Sequence, residues 1–213
     1  ISLNCYFCLN YKIIKMSIKK AYIFIFLIIL IDQISKVYVK TNFYLGEEVQ
    51  VFEWFKIYFV ENQGMAWGLE LPGDYGKLLL TLFRMIVSPI IMWWLWDSIQ
   101  KKQSKYLIVA ICLIIAGALG NLIDSIFYGV IFNESGAQVA TIFSNEPYGK
   151  LLYGDVVDMF YFPIYKFEDL PSWFPFKDRN NNFTFFNAVF NVADVAISTG
   201  FGILIVFNKR CFN

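Results

Sequence analysis

The chain has 213 residues, of which 58% are hydrophobic, 20% aromatic and 16% charged, with a net charge of +1 and no histidine. A water-soluble domain carries roughly 25% charged and 45–50% apolar residues, so this apolar surplus calls for a bilayer as solvent. The missing histidine excludes Ser-His-Asp and Cys-His catalysis and imidazole metal sites, and the near-zero net charge gives no reason to expect nucleic acid.

Cys5 and Cys8 have C-x-x-C spacing, but no second pair follows and no βαβ pattern surrounds them, so neither a metal nor a redox site is expected. Met16 is followed by Ser17, Ile18, Lys19 and Lys20 and then an apolar run, which resembles a membrane protein's own start. Residues 1–15 are therefore read as an upstream extension and residues 16–213 as one integral-membrane domain.

Four stretches are apolar enough for a spanning helix of about 17–25 residues: approximately 21–39, 78–97, 106–128 and 186–207. The first is read as retained, because Asp32, Gln33, Ile34, Ser35 and Lys36 stand where a signal peptide would carry small residues for cleavage. Cytoplasmic flanks are enriched in Lys and Arg. Lys12, Lys15, Lys19 and Lys20 precede the first span, Lys101, Lys102 and Lys105 separate the second and third, and Lys209 and Arg210 follow the fourth. Both termini are thus expected inside. The outer loops, about 40–77 and 129–185, hold a β-branched and aromatic stretch from Glu48 to Val60 and an irregular aromatic segment rich in Gly and Pro. The expected fold is an all-α membrane protein with four transmembrane helices, a small outer β-rich cradle and an enlarged outer loop region.

Ionisable residues within spans cost about 2.5–3.5 kcal/mol each on insertion scales, so each calls for a reason. Asp32 and Lys36, four apart on one helical face, are expected to form a structural ion pair near the outer interface, with direct catalysis as the other reading. Arg84 is expected to snorkel outward. Asp124 and Asp194 share a pattern: Asn121-x-x-Asp124 and Asn191-x-x-Asp194 each set an amide and a carboxyl on one face. Gly117 and Gly120, with Ala116 and Ala118, leave room for a neighbouring backbone. At 1.5 Å rise per residue, Asp124 lies about 27 Å and Asp194 about 21 Å from the cytoplasmic ends of their helices. Similar depth points to a shared site.

Two carboxyls held close in a low dielectric carry one proton between them. The charged member can take a proton from water while the neutral one donates to a carbonyl oxygen, the arrangement of aspartic peptidases. A carboxyl pair that only locks two helices, or a proton or ion relay in a transporter running through Asp32, Lys36, Asp124 and Asp194, uses the same residues.

Five blocks give the chain a resemblance to a known family: Asp32 to Lys36, Asn62-Gln63-Gly64-Met65-Ala66-Trp67-Gly68, Gly117 to Asp124, Val156-Val157-Asp158, and Phe190 to Ile197. In this order they resemble the lipoprotein signal peptidases, or signal peptidase II, four-helix inner-membrane aspartic peptidases. The resemblance implies that Asp124 and Asp194 are the catalytic dyad, that Asn62, Gly64, Asn121 and Asn191 shape the site, and that Asp32, Lys36 and Asp158 support it. It also implies removal of signal peptides from prolipoproteins by cleavage before a diacylglyceryl-modified cysteine, with no cofactor and no metal. The implied partners are diacylglyceryl-prolipoprotein substrates and membrane lipid, and the protein is expected to be a monomer with its site towards the outer face of the bacterial inner membrane. A catalytically inactive lipoprotein-binding relative is the further alternative.

Three features depart from the family's pattern. Ser125 follows Asp124 where the family carries arginine, and Arg84 or Lys36 is the candidate replacement. Met159 stands where an aromatic residue follows the Val-Val-Asp block. About 31 residues separate Asp124 from Val156, and about 31 more separate Asp158 from Phe190. Their aromatics, including Tyr148, Tyr153, Tyr161, Phe162, Tyr165, Phe167 and Trp173, favour an interface. An enlarged outer platform or lid is therefore expected.

Overall fold

The computed structural model describes residues 16–62, 75–171, 173 and 181–212. Residues 1–15, with Cys5 and Cys8, and the segment containing Gly64 lie outside them.

Three helices are long and apolar enough to cross a bilayer: α1 (Ile18–Lys40), α2 (Tyr75–Gln100) and α3 (Lys105–Ile131). Polar caps set the starts of α1 and α3. The Ser17 hydroxyl accepts from the Lys20 N–H ahead of α1, and the Ser104 hydroxyl accepts from the Leu107 N–H ahead of α3, each satisfying a donor the helix leaves open. Two-thirds of α3's apolar window is inside the molecule (67%), against 22% for α1 and 17% for α2, so α3 is the axis on which the others pack. The outward faces of α1 and α2 are a band of large exposed side chains, among them Ile23, Phe26, Ile31, Phe83, Ile86 and Trp93. Such a band is unstable in water and suits acyl chains.

A four-stranded antiparallel sheet in the order β1 (Glu48–Phe52), β2 (Phe55–Asn62), β3 (Val156–Tyr161), β6 (Val189–Phe190) closes one end of the helices. A separate two-stranded ribbon joins β4 (Tyr165–Phe167) and β5 (Phe183–Phe185). The sheet extends the β-rich region expected only for residues 48–60, because β3 and β6 come from the segment between α3 and the last long helix. The pairing of Phe160 with Phe190 has a further consequence. It holds residues 189–190 as strand, so the last long helix, α4 (Val192–Val206), begins at Val192 and not near 186. Its 15 residues rise about 22 Å, and a short α5 (Asn208–Phe212) follows.

α4 lies against α3 along the small-residue seam. A Cβ on Gly117 would stand 2.2 Å from the Ala193 carbonyl oxygen and 2.6 Å from Ile197, so only glycine admits α4 this closely. Residues 132–155 form a strap folded back on the C-terminal end of α3. The peptide N–H groups of Gly149, Leu152 and Gly154 donate to the carbonyls of Gly129, Ile126 and Ser125. A Cβ on Gly154 would fall 1.9 Å from the Asp124 carbonyl oxygen. Two ion pairs pin the strap: Lys77 of α2 meets Asp155 at 2.6 Å, and Lys40 of α1 meets Glu61 of β2 with the Ser135 hydroxyl on both. The strap delivers the chain into β3 and so fixes where Asp158 enters.

Candidate active site

α1, α3, α4 and β3 converge on a polar cluster with two halves. The first is an ion-pair knot. Lys36, wholly buried, places its Nζ 2.7 Å from an Asp124 carboxylate oxygen, 2.9 Å from Asp32 and 2.8 Å from the Asn121 amide oxygen. Its neighbour Gln33 donates to the other Asp124 oxygen at 2.8 Å and to the Gly120 carbonyl at 3.2 Å, while accepting from the Tyr128 hydroxyl. The Val157 N–H of β3 completes the Asp124 shell at 3.4 Å. Asp32 also accepts from the Ala193 N–H, one of the open donors in the first turn of α4. The expected pair of Asp32 and Lys36 is present, but it is buried inside the bundle and its lysine is shared with Asp124.

The second half gathers two carboxyls around three asparagines. Asn191 caps α4: its side chain accepts from the Asp194 N–H at 2.9 Å, and the Asp194 carboxylate accepts from the Asn191 N–H at 3.3 Å. The same Asn191 side chain donates to Asp158 at 2.7 Å. Asn62, opposite Val156 in the register of β2 with β3, reaches diagonally to the other Asp158 oxygen at 3.2 Å. Asn121 donates to Asp194 at 2.8 Å while its own oxygen accepts from Lys36 and Asn191, and so it joins the halves. Each oxygen of Asp158 and Asp194 thus receives one N–H.

Exposure separates the carboxyls. Asp124 is fully buried (0%) and its oxygens are occupied by Lys36, Gln33 and Val157, whereas Asp194 is half-buried. Asp158 is buried, and its desolvation together with the nearby Asp194 charge pushes its carboxyl up to about 7, against the pull of Asn62, Lys36 and Asn191. Burial also pushes the Asp155 carboxyl up, with the Lys77 contact opposing it.

Arg84 does not extend outward. Its guanidinium donates to the Ser125 hydroxyl at 3.1 Å and faces the charges of Asp194, Asp124 and Asp158. Ser125, the position that departs from the family pattern, therefore receives a guanidinium from α2, while Lys36 is committed to Asp32 and Asp124. Gln33 and Tyr128 are site residues not singled out in the sequence. Gln33 stood inside the Asp32 to Lys36 block, but one residue's offset on a helix turns a side chain about 100°, so only its neighbours could reveal its direction.

The family model described as signal peptidase (SPase) II matches residues 24–209. A lipoprotein signal peptidase of Porphyromonas gingivalis is 45% identical over 188 residues, covering 87% of this chain and 81% of the relative. One from Amoebophilus asiaticus is 37% identical over 191 residues, covering 86% and 75%. Among solved structures, a bacterial membrane enzyme determined in meso at 2.3 Å superposes with a TM-score of 0.59 at 24% identity, covering 90% of this chain and 89% of the other. This last likeness concerns the fold.

Proposed function

Because the chain belongs to the signal peptidase II family, an aspartic peptidase family that processes lipoproteins, we propose that it cleaves prolipoproteins before a diacylglyceryl-modified cysteine using Asp158 and Asp194. Asp194 keeps the role expected from the sequence. Its partner becomes Asp158, and Asp124 becomes the anchor that ties α3 to α1 and β3. The observation that carries this reading is the contrast in surroundings. Asp158 and Asp194 are bracketed by neutral amide donors and share Asn191, whereas Asp124 is neutralised by Lys36 and sealed from solvent.

The division of labour follows from environment. Asp194 sits in the first turn of α4, held by the Asn121 amide and the Asn191 N–H, and it takes the proton of the attacking water. Asp158, desolvated beside that charge, holds the proton near neutral pH and donates it to the scissile carbonyl oxygen. Asn62 and Asn191 keep Asp158 oriented, and Asn121 keeps Asp194 oriented. The 15-residue α4 is the fourth span, its α5 extension and basic end inside, which sets the pair towards the outer face where a lipid-bearing cysteine holds the bond. The protein acts as a monomeric domain from residue 16 onward, in contact with membrane lipid. The transporter reading is not favoured, since the family match spans nearly the whole chain.

The test is cleavage of a diacylglyceryl-modified prolipoprotein by the purified protein and by Asp158→Asn, Asp194→Asn and Asp124→Asn. Loss of turnover in the first two, with cleavage kept by Asp124→Asn, is the expected result. Turnover by Asp158→Asn overturns the dyad assignment. A parent protein that does not cleave overturns the enzymatic reading and leaves the inactive lipoprotein-binding relative.

A further inference from the structure

Where α3 begins and α4 ends, a groove of about 380 Å³ lies between them, lined by Lys105, Tyr106 and Val109 of α3 and by Ile203 and Phe207 on the α4 side. That volume falls within the range of about 300–1,000 Å³ usual for ligand clefts. The groove is remote from Asp194, which occupies the first turn of α4 while Ile203 lies in the last. Its rim is held by several contacts. The Ser104 hydroxyl that caps α3 also donates to the Cys211 carbonyl at 3.3 Å, tying α5 to the start of α3. The Tyr106 and Phe207 rings stack with their centroids 5.3 Å apart. Arg210 donates to the Tyr106 hydroxyl at 3.2 Å, and its guanidinium lies 5.7 Å from the Tyr106 centroid and 5.8 Å from that of Phe207. The Lys105 ammonium lies 5.7 Å from the Tyr106 centroid. Two cations thus stand on the aromatic pair that lines an apolar groove.

Charge at this end is one-sided. The sequence holds no Asp or Glu between Asp97 and Asp124 and none after Asp194, whereas Lys101, Lys102, Lys105, Lys209 and Arg210 fall in those stretches. Asp97 itself pairs with Lys101 at 2.8 Å. Met16, just ahead of α1, packs in one cluster with Leu95, Leu107 and Cys211, so Lys19 and Lys20 belong to the same end. We propose that the groove binds one anionic phospholipid, with an acyl chain between Val109 and Ile203 and the phosphate against Arg210 and Lys105. A guanidinium matches phosphate oxygens with paired N–H donors, and basic pockets between membrane helices suit anionic headgroups. A second copy of this chain would bring the same cations and be repelled, and a soluble polyanion would leave the apolar walls in water.

The experiment titrates the full chain in detergent with dioleoyl phosphatidylglycerol or dioleoyl phosphatidylcholine and reads bound-lipid stoichiometry and apparent Kd by native mass spectrometry. The parent should retain one phosphatidylglycerol saturably and more tightly than phosphatidylcholine. Arg210→Gln, on the exposed rim, should weaken phosphatidylglycerol by about fivefold, the factor that one cation near an anionic surface contributes, and leave phosphatidylcholine unchanged. Val109→Trp fills the groove, spares every charge and should abolish the saturable phosphatidylglycerol site. Lys19→Gln with Lys20→Gln removes two charges from the same end without touching the groove and should keep the parent's Kd. Equal affinity of the parent for the two lipids overturns the inference, as does a parental Kd in Arg210→Gln or Val109→Trp. A loss in the Lys19 and Lys20 double variant as large as that in Arg210→Gln also overturns it, because the attraction is then diffuse and not a site.

Discussion

Replacing Lys36 with methionine keeps the length of the side chain and removes its charge. In the parent, Nζ lies 2.7 Å from Asp124, 2.9 Å from Asp32 and 2.8 Å from the Asn121 oxygen, and the side chain is wholly buried. The methionine strands two carboxyls in a dry interior. Breaking a buried pair from one side costs about 3–5 kcal/mol. Asp124→Asn is milder, because Lys36 keeps Asp32; it loses the charged contact and one of the two acceptor oxygens, at about 1.5–3 kcal/mol. Combining the two leaves just Asp32 uncompensated, so the double variant should be more stable than the summed single costs imply, by about 1–3 kcal/mol of coupling. The measurement is equilibrium unfolding of the detergent-solubilised protein by a denaturing detergent, followed by the fluorescence of its six tryptophans. Costs that add within about 0.5 kcal/mol mean that Lys36 and Asp124 are energetically independent, and the anchoring role given to Asp124 then fails.

The Asp158 carboxyl, raised from 3.8 to about 7 in the folded protein, links stability to pH with a definite sign. The folded state holds this proton more tightly than the unfolded chain, so its contribution is complete below about 4 and is lost as pH rises through about 7; Asp158→Asn should flatten that part of a Tm-against-pH curve and raise Tm at pH 8, while abolishing cleavage. A curve unchanged by Asp158→Asn refutes this. Gly117→Ala drives a methyl into the Ala193 carbonyl and should destabilise by about 1–3 kcal/mol, separating α3 from α4 and lowering kcat more than it raises KM; unaltered thermal unfolding counts against the seam. Asn191→Ala removes the α4 cap, worth about 1 kcal/mol, and leaves Asp158 and Asp194 without a common partner. Its kcat should fall at least tenfold with the helical signal in circular dichroism retained, and near-parental kcat shows that Asn191 is a cap and nothing more.

The apolar spans were legible in the sequence because each is set locally, by 20 or so consecutive residues that water disfavours, and three of them appear within a few residues of their expected bounds. The repeated Asn-x-x-Asp pattern was legible for the same reason: helical spacing alone puts the amide and carboxyl of each helix on one face. Family membership, the scarcity of charge and the lack of histidine together narrowed the chemistry to aspartates. What the sequence could not determine is which aspartates face each other. Asn121 and Asp124 share a face of α3 and both reach Lys36 of α1, yet Asn121 also holds Asp194 of α4 while Asp124 is taken by Lys36, Gln33 and the Val157 N–H. Asp158 arrives from about 34 residues further along the chain, carried by a strap that packs on glycines and a strand whose register β2 and β6 fix. That same strand pairing shortened α4 and made Asn191 its cap. Arg84 likewise turns to the Ser125 hydroxyl of α3, a partner that the sequence of α2 alone does not name. A side chain's type and its local face are written along the chain, but its partner depends on which distant backbone is brought alongside, and for these carboxyls only the tertiary structure decided that.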